Sequence, residues 1–188
     1  MNKVFSFTGA KKIVFGTGSL STLASHIKEL NAKNPLVVID KNLSQAGFQE
    51  KVAAILGHEG INFTVYDKVE PEPAIELADE GAAAALKNKS DIILGIGGGS
   101  AMDVAKAIAV LATNKGSAVD YLGLNKVTQP GLPKIMIPTT AGTGSEVTFT
   151  AVFVRKDLKK KEGMNSPHLY PELALLDPEL TRSLPAWK

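Results

Sequence analysis

The chain has 188 residues, 44% hydrophobic and 21% charged, and 21 basic against 19 acidic residues give a formal net charge of +2. That size supports one domain with a sizeable core or two small ones, and the charge is too balanced to mark a nucleic-acid surface. The lack of cysteine excludes disulfides and thiolate metal sites, and with neither a signal-peptide core nor a membrane-length apolar run, the expected location is the cytoplasm with no membrane partner.

Two short alternating runs, Lys3 to Phe7 and Lys12 to Phe15, flank Thr8-Gly9-Ala10-Lys11 and predict an N-terminal β-hairpin. Such a hairpin offers an edge for pairing with a second copy, the one hint of a homo-oligomer. Ser19 or Ser21 can cap a helix reaching about Leu30, Asn34-Pro35 breaks it, and Leu36 to Ile39 makes a strand ending at Asp40. A helix over Ser44 to Leu56 and a strand over Asn62 to Tyr66 follow, then the stiff connector Pro71-Glu72-Pro73. Ala74 to Lys87 is helical, Ile92 to Ile96 is a strand, and a helix begins near Ser100.

After a loop through Gln129 to Pro133, Lys134 to Ile137 reads as a buried strand that Pro138 stops. Glu146 to Val154 alternates like an edge hairpin, the Lys159-Lys160-Lys161 run follows it, and Leu173 to Leu176 is a last short strand. Repeated strand-helix alternation predicts an α/β fold with an open, mostly parallel, Rossmann-like sheet wound by helices.

Two loops carry the chemistry. In "GIGGGSAMDVAKAIA", residues 95–109, three glycines stand where a strand hands over to a helix. Their amides, beside the unpaired N–H groups of the helix, can bind phosphate, and Ser100 can cap the helix and donate its hydroxyl to a phosphate oxygen. The other reading of these residues is a plain tight turn. Asp40 ends an earlier strand, and parallel strands present their carboxyl ends to one crevice. There a carboxylate can accept two ribose hydroxyls and repel a 2'-phosphate, favouring NAD over NADP, or it can simply cap the helix that follows. The second loop, "PTTAGTGSEVT" from Pro138, gathers hydroxyls and glycine amides after another core strand.

Together, Gly97 to Lys106 ("GGGSAMDVAK") and Pro138 to Glu146 ("PTTAGTGSE") resemble the "GGGSxxDxAK" turn and "PTTAGTGSE" loop of the iron-containing alcohol dehydrogenases. "FGTG", "VVIDKNL" and "DPELTRSLP" extend the resemblance along the whole chain. The related glycerol dehydrogenases and dehydroquinate synthase share the glycine turn, but the intact second loop points away from them.

The resemblance implies that residues 1–188 form one NAD(P)-binding domain of dehydroquinate synthase-like architecture, without the all-helical domain that follows in the family. It places Asp40 at the adenosine ribose and Gly97, Gly98 and Ser100 at the pyrophosphate. It also places Thr139, Thr140, Thr143 and Thr148 along the adenine and nicotinamide path. Lys161 would stand near the cofactor, although the lysine run also reads as a solvated basic turn. Asp103 and Lys106, three apart, are read as a structural pair bracing the first helical turn. Glu72 stands where the family often has asparagine, an unfavourable charge near the cofactor phosphates.

In the family an aspartate and three histidines of the helical domain hold Fe2+ or another divalent metal, which acts as a Lewis acid on the alcohol oxygen during hydride transfer. Those ligands would lie beyond Lys188, and His26, His58 and His168 lack metal-ligand spacing. The expectation is a cofactor-binding part of an oxidoreductase acting on a small primary alcohol or aldehyde, with no metal of its own and little activity alone. The alternative is a free-standing nucleotide-binding or assembly module without catalysis.

Overall fold

The computed structural model describes residues 4–5, 8–182 and 184. Among them the chain runs β1 (Lys12–Phe15), α1 (Leu23–Glu29), β2 (Pro35–Asp40), α2 (Lys41–Leu43), α3 (Gln49–His58), β3 (Thr64–Val69) and α4 (Glu76–Lys87). It continues through β4 (Ile92–Gly97), α5 (Gly99–Leu111), β5 (Gly123–Leu124), β6 (Lys134–Pro138), β7 (Thr150–Arg155), β8 (Lys160–Asn165) and β9 (Leu173–Leu176).

Six of these strands form one sheet in the order β1-β9-β6-β4-β2-β3, and every neighbouring pair is parallel. A parallel sheet buried on both faces needs apolar side chains on both, and β4 and β6 are buried along their whole length. Side chains alternate between the faces. Leu36, Val38, Ile93 and Met136 join a core with α4 and α5, whereas Val37, Ile39, Leu94, Ile135 and Ile137 join a second core with α1 and α3. Gly95 permits a close approach of α5 to the sheet, because a Cβ there would lie 2.8 Å from Ala105 Cβ and 2.6 Å from Sδ of its strand neighbour Met136.

The strand order reverses beside β2. The chain leaves β2 for β3 through α3 on one face, then returns through α4 on the other to lay β4 against the opposite side of β2. The chain leaves the carboxyl end of β2 for α3 on one face and that of β4 for α5 on the other, which leaves a crevice between them, the usual ligand site in open α/β sheets.

A smaller sheet, ordered β5-β8-β7, packs Ala151, Phe153 and Met164 into the core around α5. Its β7 and β8 form the antiparallel hairpin that sequence alternation suggested, in register from Thr150↔Asn165 to Arg155↔Lys160. The expected span of Glu146 to Val154 is displaced, since Ser145–Val147 forms a 3-10 turn and the strand begins at Thr150. Lys160 and Lys161 belong to β8 and only Lys159 lies in the connecting turn, so the run is not a loop.

The first arm of the expected N-terminal hairpin, Lys3 to Phe7, falls largely outside the described residues. Its second arm is β1, which pairs in parallel with β9 at the edge of the main sheet. The helix expected from Ser44 is broken by Gly47, whose φ of 83° interrupts the run before α3. Neither Ser19 nor Ser21 caps the first helical segment. That segment opens at Gly18, and the Gly18 and Leu20 amides donate instead to the Asp177 carboxylate at 2.9 and 3.1 Å.

Candidate cofactor site

Register brings the site together. Ile39 pairs with Ile96 across β2 and β4, and Gly97 with Pro138 across β4 and β6. The residues at or just beyond these pairs, Asp40, Gly97 and Thr139, therefore line up at one sheet edge, and the Thr139 amide donates to the Gly97 carbonyl at 3.0 Å.

Gly97 has φ of 142°, which a residue with a side chain rarely adopts, and a Cβ there would meet Ala101 Cβ at 2.9 Å and Asp40 Oδ2 at 3.2 Å. Gly98 is the extended N-cap of α5 and offers no side-chain cap. Ser100 is therefore not the cap; it lies inside the first turn, one residue beyond the helix start at Gly99. The unpaired amides of that turn and the positive end of the helix dipole face the cleft, an arrangement that favours an anion.

Asp40 serves in one of its two read roles visibly: Oδ1 accepts from the Leu43 amide at 3.0 Å and caps α2. Its other oxygen, Oδ2, is the one turned towards Gly97. Asp40, Gly98, Ser100, Thr139 and Thr140 line one cleft of ≈ 610 Å³. Lys41, Leu43, Val69, Glu70 and Pro71 are also among its lining residues; Lys41 and Leu43 fall in the "VVIDKNL" stretch, whereas Val69 and Glu70 lie in strand-end sequence that carried no signal of the site.

The threonine loop divides. Thr140 Oγ1 is buried without a hydrogen-bond partner among the described residues, and it would lie 3.4 Å from a Cβ on Gly98. Thr143 packs beside Gly99 at a corresponding 3.4 Å. Thr148 is turned elsewhere, with its hydroxyl 3.4 Å from Lys106 Nζ. Lys161 stands outside the cleft, in an adjoining cavity of ≈ 210 Å³ that shares Gly99 and Ser100 with it.

The Asp103–Lys106 pair exists, at 3.0 Å, and its reach exceeds one helical turn. Lys106 is fully buried, and its ammonium donates to the carbonyls of Ser145, at 3.1 Å, and of Thr150. Asp103 accepts from Ser145 Oγ at 2.6 Å and from the Val152 amide at 2.9 Å. Burial pushes the Lys106 pKa down, and the Asp103 carboxylate partly opposes that shift. The pair thus ties the end of the threonine loop and the start of β7 to α5. Its i,i+3 spacing was visible in sequence, but these distant partners were not.

The donor set fits a dinucleotide: a cradle that any Cβ would fill, an orphaned hydroxyl beside it, a helix N-terminus, and a carboxylate one strand away. It does not fit a metal. Among the described residues no group of three or more His, Cys, Asp or Glu side chains is arranged to hold one. His26 is buried beside Lys12 and Glu29, and His58 is exposed beside Glu59. No described helix is long and apolar enough to cross a membrane.

A cradle of this kind at the carboxyl edge of an open parallel sheet marks a nucleotide-binding α/β domain. The family model for iron-containing alcohol dehydrogenase matches residues 10–178, and the chain belongs to that family. It is 42% identical over 173 residues to long-chain-alcohol dehydrogenase 1 of Geobacillus thermodenitrificans, covering 90% of this chain and 43% of that protein. A solved 1,3-propanediol oxidoreductase superposes with a TM-score of 0.93 at 32% identity, covering 98% of this chain and 48% of that one. Sulfoacetaldehyde reductase from Bifidobacterium kashiwanohense, solved in complex with NAD+, matches with a TM-score of 0.88 at 31% identity, covering 98% of this chain and 49% of that one. The chain spans about half the length of these relatives.

Proposed function

We propose that residues 1–188 are the nucleotide-binding part of a metal-dependent alcohol dehydrogenase, and that they hold NAD in preference to NADP for hydride exchange with a primary alcohol or aldehyde. The observation that carries this reading is the Asp40 carboxylate beside Gly97 at the head of α5. The nicotinamide, when bound, supplies the hydride acceptor or donor. Asp40 Oδ2 accepts the adenosine ribose hydroxyls and opposes a 2'-phosphate by its charge. Gly97, Gly98 and Ser100 receive the diphosphate, and Thr140 Oγ1 gains the partner it lacks. Thr139 and Thr143 flank the cofactor path, whereas Thr148 must turn from Lys106 to reach it. The chain acts in the cytoplasm.

No substrate-polarising step is assigned to this chain, because its described residues do not form a metal site. A metal-bearing helical domain, as in the rest of the family, would have to supply that step, and the chain alone is expected to turn over little or no alcohol. Calorimetric titration with NADH and with NADPH tests the reading. Tighter NADH binding is expected; binding of neither, or preference for NADPH, overturns it. Metal-dependent alcohol turnover by the purified chain would overturn the assignment of inactivity.

A further inference from the structure

Lys161 Nζ lies 2.7 Å from Glu72 Oε1, and both side chains line the small cavity that also contains Gly99, Ser100 and Asp103. Because this cavity and the Asp40 cleft meet at Gly99 and Ser100, a dinucleotide seated on Asp40 and the head of α5 extends towards the Glu72–Lys161 pair. The backbone at Glu72 is restrained. Its φ of 54° is left-handed, and the prolines on either side have rings that restrict the chain. The connector is also pinned to β7, where the Val154 amide donates to the Pro73 carbonyl at 2.8 Å. The restrained backbone sets where the Glu72 side chain starts, and its carboxylate lies against Lys161 beside Gly99 and Ser100.

Resting on the cofactor reading above, we propose that Glu72 is a positioning residue that competes with the dinucleotide diphosphate for Lys161 and so holds down the affinity of the site for its own cofactor. One ammonium facing two anions cannot satisfy both at full strength, and the anions repel each other. Both side chains are more than half exposed, so the effect is modest and screened by salt.

The test is titration of the wild-type chain, Glu72→Gln, Lys161→Met and the double variant with NADH, and separately with uncharged adenosine. Glu72→Gln is expected to bind NADH about two- to fivefold more tightly at low salt, with the gain shrinking at high salt. The gain should vanish in the Lys161→Met background, and adenosine binding should not change. A general disturbance of the fold would weaken binding rather than tighten it. Equal or weaker NADH binding by Glu72→Gln, or a gain that survives Lys161→Met, overturns the inference while leaving the cofactor reading intact. If no variant binds NADH or adenosine, the cofactor reading fails and the inference falls with it.

Discussion

Asp40 Oδ2 stands 3.2 Å from the point a Cβ on Gly97 would occupy, so a carboxylate at the end of β2 and a glycine at the end of β4 share one surface. The parallel register that pairs Ile39 with Ile96 sets this juxtaposition, and the reversal of strand order opens the crevice above it. Any side chain at position 97 would press on the carboxylate and on Ala101.

Asp40→Asn separates the two roles of the aspartate. The amide oxygen can still accept from Leu43 N, so the cap and the fold should survive. Losing a charged acceptor should weaken NADH binding about tenfold or more, since hydrogen bonds to charged groups contribute about 1.5–3 kcal/mol. Removing the charge should also narrow the gap between NADH and NADPH. Titration with both cofactors checks this, and an unchanged ratio would remove Asp40 as the selector.

Thr140→Val distinguishes a ligand-directed hydroxyl from a packing one. Thr140 Oγ1 is buried and unpartnered among the described residues, so an isosteric methyl should leave stability unchanged or raise it by up to about 1 kcal/mol. NADH binding should weaken by roughly fivefold, the loss of one hydrogen bond of about 1 kcal/mol. Urea unfolding together with titration reads both quantities. A destabilised variant with normal NADH affinity would place the hydroxyl in the fold rather than the site.

Local signals made much of this legible in sequence. The apolar runs of β2, β4 and β6 and the glycine turn between strand and helix are short-range patterns, and the structure keeps them. Ser100 was misread because serine is a favoured cap, whereas α5 starts at Gly99 with Gly98 as its cap. The hairpin at Thr150–Asn165 was half visible, since alternating Ala151 and Phe153 announce one arm but the lysines beginning the other read as loop. Contacts across long stretches of chain were out of reach. Lys106 meets carbonyls 39 and 44 positions away, and Asp177 meets amides 159 and 157 positions away.

The Asp103–Lys106 pair is expected to hold the threonine loop in place. Lys106→Met leaves the Asp103 carboxylate without its cation, and loss of one partner of a buried pair costs about 3–5 kcal/mol. The freed loop should also lose NADH affinity, although Lys106 has no place in the cofactor path. Adding Asp103→Asn should cost less than the sum of the two single changes, because both act on one network. Urea midpoints for the four proteins measure the coupling, and strict additivity would show that the two residues act separately.

Asp177 makes the stability of the chain depend on pH. It is nearly fully buried at the end of β9, and burial would raise its pKa, but the amides of Leu20, Gly18 and Glu179 donate to it and hold it below the ordinary carboxylate value. A carboxyl group whose pKa is lower folded than unfolded stabilises the fold at any pH above its unfolded value, about 3.9. That contribution is lost as pH falls through the unfolded value towards the folded one. Asp177→Asn turns an amide towards N–H donors that need an acceptor, and should lower stability at pH 7 by about 1–3 kcal/mol. The variant should also lose part of the wild-type decline between about pH 5 and pH 3, so the two stability curves converge at acid pH. Thermal unfolding across that range compares them; curves that stay parallel would show that the tie between Asp177 and the Gly18 turn does not depend on its charge.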